Sequence, residues 1–196
     1  MTFKVYASLL SLVDKPIPNL SSLRNLSGIH IDILDDTLIK SGLTSTSFFN
    51  IDFLDELLDL NQLEFHLMTK NPVDYHIKFK KYSKVFYEMY KVNGSGSTPC
   101  IDLDDPIPNF KEFPEKILLM SVQAGLPGQK FDSNVFEKIT SLENKHLSEK
   151  VVVDGGIDLY KAKLLKGMDV EGVVVGSGLF QGKLEDSVSE FAKLID

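Results

Sequence analysis

Eight short β-rich runs alternating with helical segments predict an α/β protein with a parallel sheet. Two further observations narrow that to a closed (β/α)8 barrel. Runs such as VVVD (151–154) and GVVVG (172–176) are apolar at nearly every position, as strands covered on both faces must be. The glycine-rich turns also come late, after the sixth, seventh and eighth runs, where such a barrel commonly builds a phosphate site. An open doubly wound sheet would place its glycine loop after the first strand, and none stands there.

Taken in order, FKVYASLL (3–10) reads as a first strand, and Pro16 and Pro18 open a helix running to Leu26. GIHIDIL (28–34) is strand two. The polar stretch 40–47 is a long loop before an amphipathic helix over 51–60, IDFLDELLDL. LEFHLM (63–68) is strand three, and Asn71-Pro72 starts a helix to about Lys81. VFYEMYKV (85–92) reads as strand four and Cys100–Leu103 as a short strand five. The link NGSGSTP (93–99) has no helical pattern, so the covering helix between strands four and five is expected to be missing or shortened. That predicts a gap in the outer ring or a partner chain over it, which leaves a homo-oligomer open. Pro106–Phe113 offers at most one or two helical turns. Strand six is 117–122, a helix follows over 134–145, strand seven is 151–154, a helix covers 159–166, strand eight is 172–175, and a helix over 184–195 closes the chain.

The 196 residues suffice for one core, and one barrel domain over 1–196 is the economical reading. A net charge of −7 without a basic cluster argues against a general binder of nucleic acid or of an anionic membrane, but a phosphorylated ligand held by backbone amides remains open. The single Cys100 rules out an intramolecular disulfide framework and suits a reducing cytoplasm. No apolar run approaches the ~18 residues of a membrane span, so a soluble, cytoplasmic protein is expected.

The chemistry concentrates on strand two. Residues i and i+2 of a strand share a face, so His30 and Asp32 point one way while Ile29, Ile31 and Ile33 point the other. A buried imidazole and carboxylate need a partner, and a divalent cation is one. His66 and Met68 repeat the spacing on strand three. Ser8, Met120 and Asp154 also lie near the C-terminal ends of strands, the catalytic face of a (β/α) barrel. Two imidazoles and two carboxylates suit Zn²⁺, Mn²⁺, Fe²⁺ or Co²⁺ better than Mg²⁺ or Ca²⁺. Taken singly, a strand histidine is more often a hydrogen-bonded core residue, a methionine core filler, Ser8 a satisfied hydroxyl and Asp154 a turn cap. Their conjunction favours a site. His76 and His146 read as solvated, and the acidic stretch 102–105 (DLDD) as a solvated loop. The turns GLPGQ (125–129), DGGID (154–158) and GSGLF (176–180) could bring their backbone N–H groups to one phosphate.

From YASLLS (6–11) to GSGLF, the chain resembles the ribulose-phosphate 3-epimerase family. The resemblance is carried by HIDILD (30–35), HLMTKNP (66–72), LLMSVQAGLPGQKF (118–131), VDGGI (153–157) and Gly176-Ser177. It implies a metal-dependent epimerase that inverts C3 of D-ribulose 5-phosphate, a step of the pentose phosphate pathway. It implies His30, Asp32, His66 and Asp154 as ligands of one divalent metal ion, and Asp32 and Asp154 also as the acid/base pair. Ser8, His66, Met68, Met120 and Gly128 would line the substrate, and Gly155, Gly156, Gly176 and Ser177 would grip its phosphate.

The sequence departs from the family pattern at Leu34 and Asp36, at Leu126 and Pro127 in the lid loop, and at Gln123-Ala124 before it. Sugar length would be read in those loops, so an epimerase for another ketose phosphate, such as allulose 6-phosphate, is the alternative. A degenerate paralogue that only binds sugar phosphate, or scaffolds a partner, is a further one. The orotidine-decarboxylase-like barrels need an Asp-x-Lys pair, and Asp32-Ile33-Leu34 lacks the lysine.

Overall fold

A computed structural model describes residues 2–13, 15–35, 51–93, 98–125 and 128–195. The expected loop 40–47, Asp36, Leu126 and Pro127 lie outside the described residues, as does most of the link 93–99. Eight parallel strands pair in sequence order and close, β8 lying against β1. They are β1 (Lys4–Ser8), β2 (Gly28–Leu34), β3 (Leu63–Met68), β4 (Phe86–Met89), β5 (Pro99–Ile101), β6 (Ile117–Met120), β7 (Val151–Asp154) and β8 (Gly172–Val175). The helices are α1 (Ile51–Leu60), α2 (Pro72–Phe79), α3 (Tyr90–Asn93), α4 (Val135–Glu143), α5 (Leu159–Lys166), α6 (Ser177–Phe180) and α7 (Leu184–Ala192). None of them is long and apolar enough to cross a membrane.

The two-residue alternation divides the apolar side chains into two cores. Ile29, Ile31 and Ile33 face outward with Phe65, Leu67, Val153 and Val173, and pack beneath Leu57 of α1, Ile139 of α4 and Val188 of α7. Tyr6, Met68, Tyr87, Met89, Leu118, Met120, Val152 and Val174 fill the barrel itself. Its lower end is plugged by charge. Lys116 Nζ lies 2.5 Å from Glu64 Oε1 and 3.2 Å from Glu171 Oε1, and Lys4 Nζ lies 2.8 Å from the same Glu171 oxygen. Tyr87 donates its hydroxyl to Glu64 Oε2 at 3.1 Å. Burial would lower the Lys116 ammonium, but the facing Glu64 carboxylate outweighs it and holds the group above its ordinary range.

The largest differences from expectation are two. The helix expected between Pro16 and Leu26 is replaced by a 3₁₀ turn at Ser21–Asn25. Leu20, Leu23 and Leu26 are all buried, and a spacing of three is the period at which 3₁₀ side chains align. The strand expected over 85–92 ends at Met89, where its ladder with β5 stops opposite Cys100, and the chain turns once as α3 with Tyr90 edge-on to Phe110. Among the described residues the covering helix between β4 and β5 is one turn, as expected, and Pro106–Phe113 adds no helix between β5 and β6.

His146 is exposed at a left-handed turn. His76 is not merely solvated: its Nε2 lies 2.8 Å from Glu88 Oε1 and its ring 4.3 Å from that of Phe86. The DLDD segment is likewise built in. Asp105 is buried and lies 3.2 Å from Lys91 Nζ, and Lys138 donates to the carbonyls of Asp102, Leu103 and Asp105.

Candidate active site

Parallel strands that end together put their last inward residues on one rim. The register sets Asp32 beside His66, Ser8 beside His30 and Met120 beside Asp154. His30, Asp32, His66 and Asp154 each offer a ligand atom within 4.8 Å of the others, and no other such group occurs among the described residues. Asp32 is the centre. Its Oδ1 lies 3.3 Å from His66 Nδ1 and 3.6 Å from His30 Nε2, while its Oδ2 accepts a 2.8 Å hydrogen bond from Ser8 Oγ. Ser8 Oγ in turn accepts from Leu10 N at 3.3 Å, which fixes the hydroxyl.

These environments separate the two carboxylates. Burial would raise Asp32, but the adjacent His30 and His66 imidazoles outweigh it and hold it well below the carboxylate range. Burial and the negative charge of Asp32 push Asp154 up to about 7, against the pull of His30 and the Gly155 N–H. Burial lowers His66 despite Asp32. For His30 the same burial is outweighed by Asp32, leaving that imidazole raised.

The donor set fits a cation. His30 is fully buried, yet neither ring nitrogen has a hydrogen-bond partner among the described residues. Buried orphan nitrogens are rare, and a lone pair facing a carboxylate oxygen calls for a positive charge between them.

The cavity above the cluster is lined by Ser8, Asp32, His66, Met68, Met120, Gly128, Asp154, Gly155, Gly156, Gly176 and Ser177. His30 lies behind it, its ring 5.9 Å from those of His66 and Tyr87. The glycines after β7 are required by the backbone. Gly155 and Gly156 have φ of +116° and +59°, and a Cβ at Gly156 would stand 2.5 Å from Phe131 N. Ser121 pins this turn by donating from Oγ to the carbonyls of Asp154 (2.9 Å) and Gly155 (2.6 Å).

Several residues escaped the sequence reading. Ser121 is one; its hydroxyl stands next to Met120, but nothing in LLMSV marks its partner 33 residues on. Met89 is another, with Sδ 3.4 Å from His66 Nε2. Its two-residue spacing from Tyr87 on an inward face was the available signal. Ser11, Val122, Gln123 and Gln129 also border the cavity.

Residues 4–180 match the model of the ribulose-phosphate 3-epimerase family. The chain belongs to that family. Among curated relatives, the ribulose-phosphate 3-epimerase of Encephalitozoon cuniculi is 27% identical over 189 residues, covering 85% of this chain and 83% of that protein. The cytoplasmic isoform from Oryza sativa subsp. japonica is 28% identical over 141 residues, covering 60% of this chain and 61% of that protein, so the match spans less than two thirds of the rice enzyme. Among solved structures, 3-keto-L-gulonate-6-phosphate decarboxylase from Vibrio cholerae superposes with a TM-score of 0.63 at 11% identity, covering all of this chain and 98% of the other. Phosphoribosyl anthranilate isomerase from Thermus thermophilus gives 0.59 at 9% identity, covering 98% and 100%. At such identities the likeness is one of fold alone.

Proposed function

We propose that this chain is a metal-dependent epimerase that interconverts D-ribulose 5-phosphate and D-xylulose 5-phosphate. The observation that carries the reading is the cluster of His30, Asp32, His66 and Asp154 at the rim of a barrel of this family, with ligand atoms within 4.8 Å of one another. His30, Asp32, His66 and Asp154 would hold one divalent ion, with Zn²⁺, Mn²⁺, Fe²⁺ and Co²⁺ suited to an N2O2 donor set. When bound, such an ion supplies the positive charge that stabilises the enediolate left when the C3 proton of a ketose is removed.

The remaining steps belong to the protein. Asp32 takes the C3 proton from one face, and Asp154 returns one to the other face. In the reverse direction the roles exchange. Inversion requires that one carboxyl arrive empty and the other loaded. Ser8 holds Asp32 in place through Oδ2. Met68 and Met120 wall the cavity with thioethers that bring no exchangeable proton to the intermediate. The backbone N–H groups around Gly155, Gly156, Gly176 and Ser177 take the phosphate, and Gly128 borders it from the lid loop. The strands run from residue 4 to residue 175 in one closed sheet, which supports reading 1–196 as one domain. A cytoplasmic location fits the name of the rice relative.

Deuterium wash-in at C3, measured over a panel of ketose phosphates with metal content determined on the same sample, tests the proposal. Exchange fastest with ribulose 5-phosphate is the expected result. Faster exchange with allulose 6-phosphate would change the substrate, and no exchange with any sugar would leave a binding protein only.

A further inference from the structure

Of the two imidazoles in the cluster, one has a partner behind it and the other does not. His66 presents Nδ1 to Asp32 Oδ1 at 3.3 Å, and its Nε2 lies 3.4 Å from the thioether sulfur of Met89. Both residues are buried, so no water competes for that nitrogen. Metal-bound histidines nearly always donate the N–H of their second nitrogen to a carboxylate, a carbonyl or water. That bond fixes the tautomer and raises the ligand's basicity. Here the group in that place is a sulfur, a weak acceptor that cannot draw the proton away.

Resting on the metal reading above, we propose that Met89 is the positioning residue for His66. By accepting from Nε2–H it holds the ring so that Nδ1 is the ligating atom. Because sulfur accepts weakly, it also leaves His66 a poorer donor than a carboxylate-backed histidine. Two consequences follow from the same contact. The cluster holds its cation less tightly than a stronger acceptor at position 89 would allow. The cation in turn keeps more of its positive charge for the substrate oxygens, since less is offset by the imidazole.

The test compares wild type with Met89→Leu and Met89→Gln. Leucine conserves the volume and removes the acceptor, and glutamine supplies a stronger one. Affinity for Zn²⁺ is measured by competition with a chromophoric chelator, and ¹⁵N NMR of the ¹¹³Cd-loaded protein identifies the ligating nitrogen of His66. The expected results are Nδ1 ligation in wild type and a loss of about tenfold in Zn²⁺ affinity for Met89→Leu, the low end for outer partners. Met89→Gln should equal or exceed wild type in affinity while its kcat falls. Ligation through Nε2, unchanged affinity in Met89→Leu, or equal losses in both variants would overturn the proposal and make Met89 packing alone. Failure of wild type to take up either metal would overturn the metal reading and this inference together, an outcome distinct from the first three.

Discussion

Replacing Asp154 by asparagine separates what that carboxylate costs the fold from what it does in the site. Burial and the neighbouring Asp32 charge move it from 3.8 to about 7. Between those values the folded protein binds a proton that the unfolded chain has released, so the stability of the metal-free protein must fall as pH rises through that window. Once pH exceeds 7 the full displacement is worth about 4 kcal/mol, and at pH 5 roughly 1.5 kcal/mol of it is already present. Asp154 is only partly buried, so solvent screening makes these upper values. Asparagine fills the same space without a charge to desolvate. Urea unfolding of both proteins in excess chelator should therefore show Asp154→Asn gaining on wild type by about 2 kcal/mol between pH 5 and pH 8. Added Zn²⁺ should reverse the order, because only wild type offers all four ligands and binding to the folded state stabilises it by mass action. A gap between the two proteins that stays constant from pH 5 to pH 8 would refute the placement of an uncompensated carboxylate at this rim.

The same Asp154→Asn protein and Asp32→Asn should each lose C3 exchange by about 10²-fold or more while staying folded, read by deuterium wash-in and circular dichroism; substantial turnover in either removes the two-carboxylate mechanism. Exhaustive chelation should abolish activity, and Zn²⁺, Mn²⁺, Fe²⁺ or Co²⁺ should restore it, whereas indifference to chelation means a metal-free site. Lys116→Met leaves Glu64 without its cation and Glu171 with Lys4 alone, and should cost about 3 kcal/mol in urea unfolding, the low end for a broken buried pair, since the Lys116 side chain keeps 16% of its exposure. A loss under about 0.5 kcal/mol, the scale of an ordinary surface substitution, would show that plug to be dispensable. Gly156→Ala forces a side chain into a left-handed turn against Phe131 N, and should raise KM for the sugar phosphate about tenfold with a smaller change in kcat. An unchanged KM would move the phosphate away from this turn.

Much of this was readable before any coordinates because period two is unambiguous on a strand covered from both sides. The runs 28–34, 63–68, 151–154 and 172–175 are strands residue for residue, and the i, i+2 pairs His30/Asp32 and His66/Met68 turn inward as that period requires. Helices α1 and α5 match in the same way, having whole turns of apolar spacing between clear breaks. The segment between Pro16 and Leu26 misled because its leucines recur every third residue, a spacing that α and 3₁₀ turns share over so short a run. The charged plug was invisible for another reason. Lys4, Glu64, Lys116 and Glu171 sit at four separate places in the chain, each an ordinary surface residue by its neighbours, and only barrel closure brings them together. Met89 was hidden by its setting, since one thioether among apolar neighbours is indistinguishable from filler until the nitrogen facing it is seen.

The thinning of the outer ring and the survival of the cluster have a common explanation. Among the described residues cover is thinnest over β4 and β5, where one helix is a single turn and another is absent. None of the four clustered residues comes from those strands; they come from β2, β3 and β7, and β4 and β6 bring only the thioethers of Met89 and Met120. The ladder between β2 and β3 is the longest in the sheet, running from Ile29 opposite Leu63 to Leu34 opposite Met68, and it carries three of the four. At the thin side a lysine does part of a helix's work. Lys138 Nζ reaches from α4 to the carbonyls of Asp102 and Asp105 at 2.8 and 2.7 Å and also to that of Leu103, while Asp102 Oδ1 accepts from Leu103 N and from Ala124 N at 3.0 Å. The lip after β5 is thereby tied to the approach of the loop that borders the cavity. An ammonium with three donors can satisfy carbonyls that would otherwise need a helix or water above them, and it does so in one residue. The thinned cover thus lies over strands that supply none of the four clustered residues.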